Sequence, residues 1–112
     1  MAAKLVIRRN KYRAKPVVVN GERFASQREY KRWCELLLLS KAGKIEFLQR
    51  QFRIALRADG GKVVGHYVAD ATYLDVESGE PVIEDAKGFQ TPLYKWKRRH
   101  VEAQTGVKIR EV

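Results

Sequence analysis

The apolar residues of this chain change from helical to strand-like spacing near Lys44, and this change constrains the fold more than any other sequence feature. Before it, apolar side chains recur every three or four residues, which is typical of one face of an α-helix. This stripe consists of Tyr30, Trp33, Cys34, Leu37 and Leu38. After it, apolar runs and intervening turns predict strands over residues 47–56, 63–74 and 82–87. A helix followed by three strands predicts a mixed α/β domain.

Turn and cap residues define the elements before this change. Asn20-Gly21 lies between short apolar runs, and this pair favours the type I′ turn of a β-hairpin. Ser26 followed three residues later by Glu29 is a capping-box start for the first helix. Ala42-Gly43 is expected to end that helix, because glycine is the usual residue just beyond a helix C-terminus.

A second helix is predicted to begin at Thr91-Pro92 and to end at Gly106. Residues 107–112 alternate as in a last strand. The second helix is expected to bury Leu93, Trp96, His100 or Val101, and Ala103. The order is then hairpin, α, β, β, β, α, β within one domain over residues 1–112, of which residues 1–15 form a basic arm.

The net charge of the chain indicates a polyanionic partner. Lysine and arginine number 23 against 13 acidic residues, which leaves a formal charge of +10. Basic side chains that neutralise phosphates release counterions, so DNA is the first candidate partner. A basic protein with no specific partner is the alternative that charge alone leaves open. The residues expected to contact DNA are Arg8, Arg9, Lys11, Arg13, Lys15, Gln90, Lys95, Lys97 and Arg98.

Other classes of protein are poor matches to the sequence. The longest uninterrupted apolar run is residues 36–39, whereas a membrane span needs about 20 apolar residues. The first residues show no apolar core of a secretory signal. One cysteine, Cys34, leaves no internal disulfide framework and no cysteine-rich zinc site. We therefore expect a cytoplasmic protein with no membrane partner and no small-molecule cofactor.

Four residues carry the expected chemistry: Glu29, Asp70, Asp85 and Lys87. Asp85 and Lys87 are two apart on a strand and share a face, while Asp70 lies within a run otherwise suited to burial. A hairpin through residues 77–81 would place the two aspartates on neighbouring strands, where a divalent cation would offset their repulsion. Glu29, on the helical stripe, would be a third oxygen donor, and such a set suits Mg²⁺ or Mn²⁺. Lys87 would then hold the attacking water or neutralise developing charge.

This arrangement resembles the PD-(D/E)XK nuclease core, and the predicted αβββαβ order matches that restriction-endonuclease-like fold. More closely, the chain resembles a family of small phage and prophage proteins of unknown function with this core. The stretches that carry the resemblance are NKYRAKPVVVNGERFASQREYKRW, HYVADATYLD, VIEDAKG and TPLYKWKRRHVEAQTG. The resemblance implies that Asp70 and Asp85 bind the metal, that Lys87 is the motif lysine and that Glu29 is the helical acid. Ala69 stands where the superfamily pattern has proline.

The function expected from this resemblance is metal-dependent cleavage of DNA phosphodiester bonds. A chain of 112 residues leaves little beyond a catalytic core for reading base edges, which favours branched DNA over a specific sequence. Holliday junction resolution in phage recombination or replication, in a bacterial host cell, fits this expectation, and a resolvase would need two active sites and hence a homodimer. The alternatives are a DNA-binding module without catalysis and a domain that binds or cuts RNA.

Several of these residues also have purely structural interpretations. Glu29 could serve only the capping box, and Asp70 could pair with Arg53. Asp85 and Lys87 could form a surface ion pair. Glu84 ranks second to Glu29 as the further metal ligand, because it points away from Lys87 unless a β-bulge intervenes. His66 shares the face of Asp70 and is a candidate base or phosphate contact.

Overall fold

The structure is a computed structural model that describes residues 16–86 and 90–112 with their side chains, and residues 5–7 by their backbone. Within these residues, two helices and two sheets form two compact units, Met1–Glu35 and Leu36–Val112. The elements are β1 (Leu5–Ile7), β2 (Val17–Val19), β3 (Glu22–Phe24), α1 (Gln27–Lys41), β4 (Ile45–Arg57), a 3-10 turn (Asp59–Gly61), β5 (Val63–Asp75), β6 (Pro81–Asp85), α2 (Pro92–Thr105) and β7 (Ile109–Glu111). The mixed α/β class and the predicted order of elements are confirmed, and a single domain stays a prediction.

The first unit contains the predicted hairpin. Asn20 and Gly21 have φ angles of 50° and 82°, the left-handed values that the type I′ turn between β2 and β3 requires. Val17 and Phe24 are buried at the centre of this small sheet. The basic arm was predicted without regular structure, but Leu5–Ile7 pair antiparallel with β2 as β1. A strand of three residues is too short to show the alternation of apolar and polar side chains. It forms because the unpaired edge of β2 offers backbone groups for pairing.

The apolar stripe predicted for α1 is partly wrong. Leu36 is buried, whereas Leu37 and Leu38 are 48% and 68% exposed. Spacings of three and four residues both continue a helical face, so Trp33 can be followed one turn later by Leu36 or by Leu37. The sequence pattern does not distinguish them, and packing selects Leu36.

The second unit is built on a four-stranded sheet in the order β4-β5-β6-β7. β4 and β5 form a long antiparallel hairpin, β6 continues antiparallel, and β7 pairs parallel with β6. A parallel neighbour requires a crossover connection, and α2 provides it. The core of the unit consists of Leu56, Tyr67, Ala69, Ile83, Val101 and Ile109.

The ends of α2 follow the sequence prediction, but its buried face does not. The Thr91 hydroxyl accepts from the backbone N–H of Tyr94 at 3.0 Å, and Gly106 ends the helix at φ 74°. Val101 is buried as predicted, whereas Leu93, Trp96 and Ala103 are exposed.

Polar contacts join the second half of α2 to the end of β4. Gln104 accepts from the backbone N–H of Arg57 and donates to the carbonyl of Ala55, both at 2.8 Å. The His100 ring lies 2.8 Å from the carbonyl of Arg57. His100 and Gln104 follow Trp96 at i+4 and i+8, so this side of the helix meets β4 in its second half, while Trp96 itself is 47% exposed. Neither α1 nor α2, the two helices in the described part of the chain, has the length and apolar character needed to cross a bilayer.

Candidate functional site

The candidate site lies where the pairing of β5 and β6 ends. The ladder includes Ala71 opposite Glu84, and the next positions along it are Asp70 and Asp85. There the carboxylates replace the backbone bonds of the ladder. Asp85 Oδ1 accepts from the backbone N–H of Asp70 at 3.0 Å, and Asp70 Oδ2 accepts from the N–H of Ala86 at 2.7 Å. The structure thus brings together the two aspartates that the sequence singled out.

The surroundings of Asp70 disfavour its charged form. Burial raises the pKa of this carboxyl above its ordinary value, and the nearby Glu84 carboxylate adds to the rise. The N–H of Ala86, the Arg50 guanidinium and the Gln51 side chain act in the opposite direction without cancelling it. Asp85 is itself 7% exposed. Two adjacent, largely desolvated carboxylates repel one another, so a cation bound between them would be strongly favoured.

The first turns of α2 lie beside this pair. The pKa of Tyr94 is raised to about 12 by burial and then by the negative charges of Asp85 and Glu111. Its phenol therefore stays protonated at neutral pH, next to the carboxylates. Glu111 is opposite Asp85 in the parallel β6–β7 register and accepts from the amide of Gln90 at 2.7 Å. Sequence reasoning missed Glu111 and the closeness of Tyr94 to Asp85, since only the crossover brings these positions together.

Glu84 is part of a different network. Its side chain is 1% exposed, and one of its oxygens accepts from the Tyr73 hydroxyl at 2.6 Å. Arg110 in turn donates to the oxygen of Tyr73 at 3.2 Å. The buried carboxylate thus has a hydrogen-bonding role in holding β5, β6 and β7 together.

Glu29 belongs to the first unit and is 7% exposed. Its backbone N–H donates to the Ser26 hydroxyl at 3.1 Å, as the capping box predicts. Its carboxylate accepts from the N–H of Ala25 at 3.2 Å, one residue earlier than a capping box requires. The capping role is therefore real, and the ligand role of Glu29 stays a prediction.

The remaining predicted residues fall into three groups. Lys87 and the basic residues of the arm (Arg8, Arg9, Lys11, Arg13 and Lys15) lie outside the described residues. Arg98 forms ion pairs with Glu111 and Glu102, and Gln90 is held by Glu111, so both help to position carboxylates. Lys95 is exposed on α2, while Lys97 and His66 are half-buried.

The carboxylates of Asp70 and Asp85 supply part of the oxygen ligands that a hard divalent cation needs. Among residues 16–86 and 90–112, no three His, Cys, Asp or Glu side chains are grouped so as to hold a metal ion. The aspartate pair supplies two carboxylates. Mg²⁺ is commonly held by one or two protein carboxylates together with waters and substrate phosphates. Asp70 and Asp85 therefore fit the protein's share of such a site.

Comparison with known proteins identifies the family. A family model described as "protein of unknown function (DUF1064)" matches residues 9–111. No match to the chain exists among curated proteins or among solved structures. The matched segment covers nearly all of the chain, including Glu29, Asp70 and Asp85. The chain therefore belongs to DUF1064, a family of proteins of unknown function.

Proposed function

We propose that this protein is a divalent-metal-dependent DNA endonuclease with a PD-(D/E)XK, restriction-endonuclease-like core. The observation that carries the proposal is the juxtaposed pair of Asp70 and Asp85 at the end of the β5–β6 ladder. Antiparallel β4–β5–β6, followed by α2 and a parallel β7, supports the same core. Phage or prophage origin and action in the cytoplasm of a bacterial host are part of this proposal.

The residues divide the chemistry between them. Asp70 and Asp85 would hold Mg²⁺ or Mn²⁺, with Glu29 as the proposed third carboxylate. A bound divalent ion supplies charge stabilisation for the scissile phosphate and lowers the pKa of a water ligand. Lys87, two residues after Asp85, would hold the attacking water or neutralise developing charge. The protonated phenol of Tyr94, beside the aspartates, is placed to donate a hydrogen bond to a phosphate oxygen.

Branched DNA is the proposed substrate. The formal charge of +10 favours phosphate backbones of any sequence, because phosphate contacts carry no base information. Lys95 and Lys97, on the helix that carries Tyr94, are proposed contacts to this backbone. Resolution of a Holliday junction requires paired cuts, which would make the active form a homodimer.

The test is cleavage of labelled four-way junction, flap, linear duplex and single-stranded DNA in Mg²⁺, Mn²⁺ or EDTA. We expect metal-dependent cutting that is lost in Asp70→Asn and Lys87→Ala. Asp75→Asn is the matched control, because Asp75 is a carboxylate of the same strand that accepts from the N–H of Ser78 in a turn. Cutting that persists in EDTA, or equal loss in Asp75→Asn, would contradict the assignment.

A DNA-binding module without catalysis is the second candidate. It is favoured by the hydrogen bonds that each aspartate already makes to the opposite strand, since these alone give the pair a structural role. Tight DNA binding without cutting in either metal would establish this alternative.

A further inference from the structure

An exposed part of α2 presents an aromatic side chain that the core does not use. Trp96 is 47% exposed, and Leu93, one turn earlier, is 61% exposed. The His100 ring lies against the indole, with 5.3 Å between ring centroids. Because His100 also contacts the carbonyl of Arg57, this contact ties the orientation of Trp96 to the sheet. An indole held in this way at the surface can accept a flat partner without a large loss of side-chain entropy.

Two exposed basic residues flank Trp96 along α2. Lys95 precedes Trp96, and Arg99 follows it by one helical turn; both are exposed. Neither side chain forms an ion pair or hydrogen bond with any residue in the described ranges 16–86 and 90–112. A groove of about 370 Å³ beside them is lined by Gln90, Lys95, Arg98, Arg99 and Glu102. The charges of Arg98 and Glu102 cancel there, so Lys95 and Arg99 give the groove a net positive charge.

We propose that this face of α2 binds single-stranded DNA, with an unpaired base stacked on Trp96 and the neighbouring phosphates held by Lys95 and Arg99. An aromatic platform flanked by cations is the arrangement that single-strand-binding surfaces use. In a duplex both faces of each base are already stacked, so the indole gains a partner only where bases are unpaired. Self-association through this face would bring cations of like sign together, which disfavours a second copy of the chain as the occupant.

This single-strand-binding proposal rests on the proposed nuclease function. It narrows the nuclease's substrate class to DNA with unpaired bases. The same helix carries Tyr94, whose pKa is raised in part by Asp85, and Arg98, which pairs with Glu111 opposite Asp85. The helix proposed to hold the strand is therefore the one that packs beside the aspartate pair. The substrate would be DNA with unpaired bases near the scissile phosphate, such as a flap or an open junction.

Intrinsic fluorescence tests the stacking directly. Trp33 and Trp96 are the two tryptophans of the chain, so Trp33→Phe leaves Trp96 as the reporter. The full-length protein is titrated in EDTA with oligo(dT), a duplex of matched length and oligo(U), so that binding is measured without cleavage. We expect oligo(dT) to quench the Trp96 emission and to bind more tightly than the duplex or oligo(U). Absence of quenching, or stronger binding of duplex or RNA, would overturn the proposal.

A second measurement uses the fluorescence anisotropy of a labelled oligonucleotide. It is made with variants that keep Trp33, so it does not depend on correct folding of Trp33→Phe. Trp96→Ala is expected to weaken oligo(dT) binding about tenfold, and Trp96→Phe to retain most of it. Lys95→Gln with Arg99→Gln is expected to reduce the salt dependence of binding by about two phosphate contacts. Lys108→Gln, an exposed lysine beyond α2, is the matched control and should change binding least.

The failures of the two proposals are distinguishable. Quenching with no metal-dependent cutting of any substrate supports the α2 face and contradicts the nuclease. Metal-dependent cutting of flaps at equal rates by Trp96→Ala and the original protein contradicts the α2 face alone. Concentration-dependent dimerisation that is lost in Trp96→Ala, seen by sedimentation without DNA, would overturn the proposal in favour of an interface between copies.

Discussion

The carboxylates of Asp70 and Asp85 each accept a hydrogen bond from the backbone of the neighbouring segment. The backbone N–H of Asp70 donates to Asp85, and the N–H of Ala86 donates to Asp70. The pair is thus held in place by the protein itself where regular pairing of β5 and β6 ends. In these two residues the proposed chemical role coincides with a structural one, so a substitution is informative only when it separates them.

Substitution of Asp85 separates the two roles. Asp85→Asn keeps an oxygen that can accept from Asp70, so we expect the free energy of unfolding to change by less than about 1 kcal/mol. Metal-dependent cleavage should nevertheless fall about 100-fold or more, because a carboxylate ligand is lost. Asp85→Ala also removes the acceptor and is expected to cost about 1–3 kcal/mol. Urea denaturation and cleavage rates measured on the same samples check both expectations. Equal destabilisation by Asn and Ala would show that the charge itself holds the strands.

Asp70 makes the stability of the metal-free protein depend on pH. Its pKa is raised in the folded state, so between its unfolded and folded pKa values the folded chain binds more protons. The contribution of Asp70 to the free energy of unfolding therefore becomes unfavourable as the pH rises through this window. This contribution vanishes below the unfolded pKa of about 3.9. We expect Asp70→Asn to melt higher than the original protein at pH 7 in EDTA. The difference should shrink as the pH falls toward 4. A difference that is independent of pH would show that Asp70 is not desolvated as the structure indicates.

Glu29 can be tested against its own capping role. Ser26→Ala removes the acceptor for the N–H of Glu29 and is expected to cost about 1 kcal/mol with little effect on cleavage. Glu29→Gln keeps an oxygen for the N–H of Ala25 and should leave stability nearly unchanged. If Glu29 is the third metal ligand, the second variant alone loses activity. Thermal denaturation with cleavage assays distinguishes these outcomes, and loss of activity in Ser26→Ala to the same extent would assign Glu29 to the cap.

The Tyr73–Glu84 hydrogen bond is expected to matter for folding and not for chemistry. Tyr73→Phe removes the 2.6 Å bond to a carboxylate that is 1% exposed. The expected cost is about 2 kcal/mol, because hydrogen bonds to buried charged groups are among the stronger ones. Glu84→Gln in the same background should recover part of the loss by removing the buried charge. Urea denaturation of the two variants checks this prediction, and unchanged stability of Tyr73→Phe would contradict it.

Local chemistry made much of the architecture predictable from the sequence. Asn20-Gly21 favours positive φ at both positions, Ser26 and Thr91 accept from helix N–H groups, and Gly106 takes the left-handed cap. Each of these signals acts within four residues, so no distant contact can easily override it. Asp70 was singled out for a similar reason, since an acid inside a strand suited to burial is costly unless it has a use.

Which side chains point outward was decided by tertiary packing. Spacing alone placed Trp96 in the core, but on that side of α2 it is His100 and Gln104 that contact β4, while Trp96 is 47% exposed. Likewise, only the parallel pairing of β7 with β6 brings Glu111 opposite Asp85. The sequence by itself determined the order of elements, their caps and the candidate acids, because these depend on local spacing. Only the tertiary structure decided the helix rotation and the neighbours of the acids, because these depend on contacts between segments far apart in the chain.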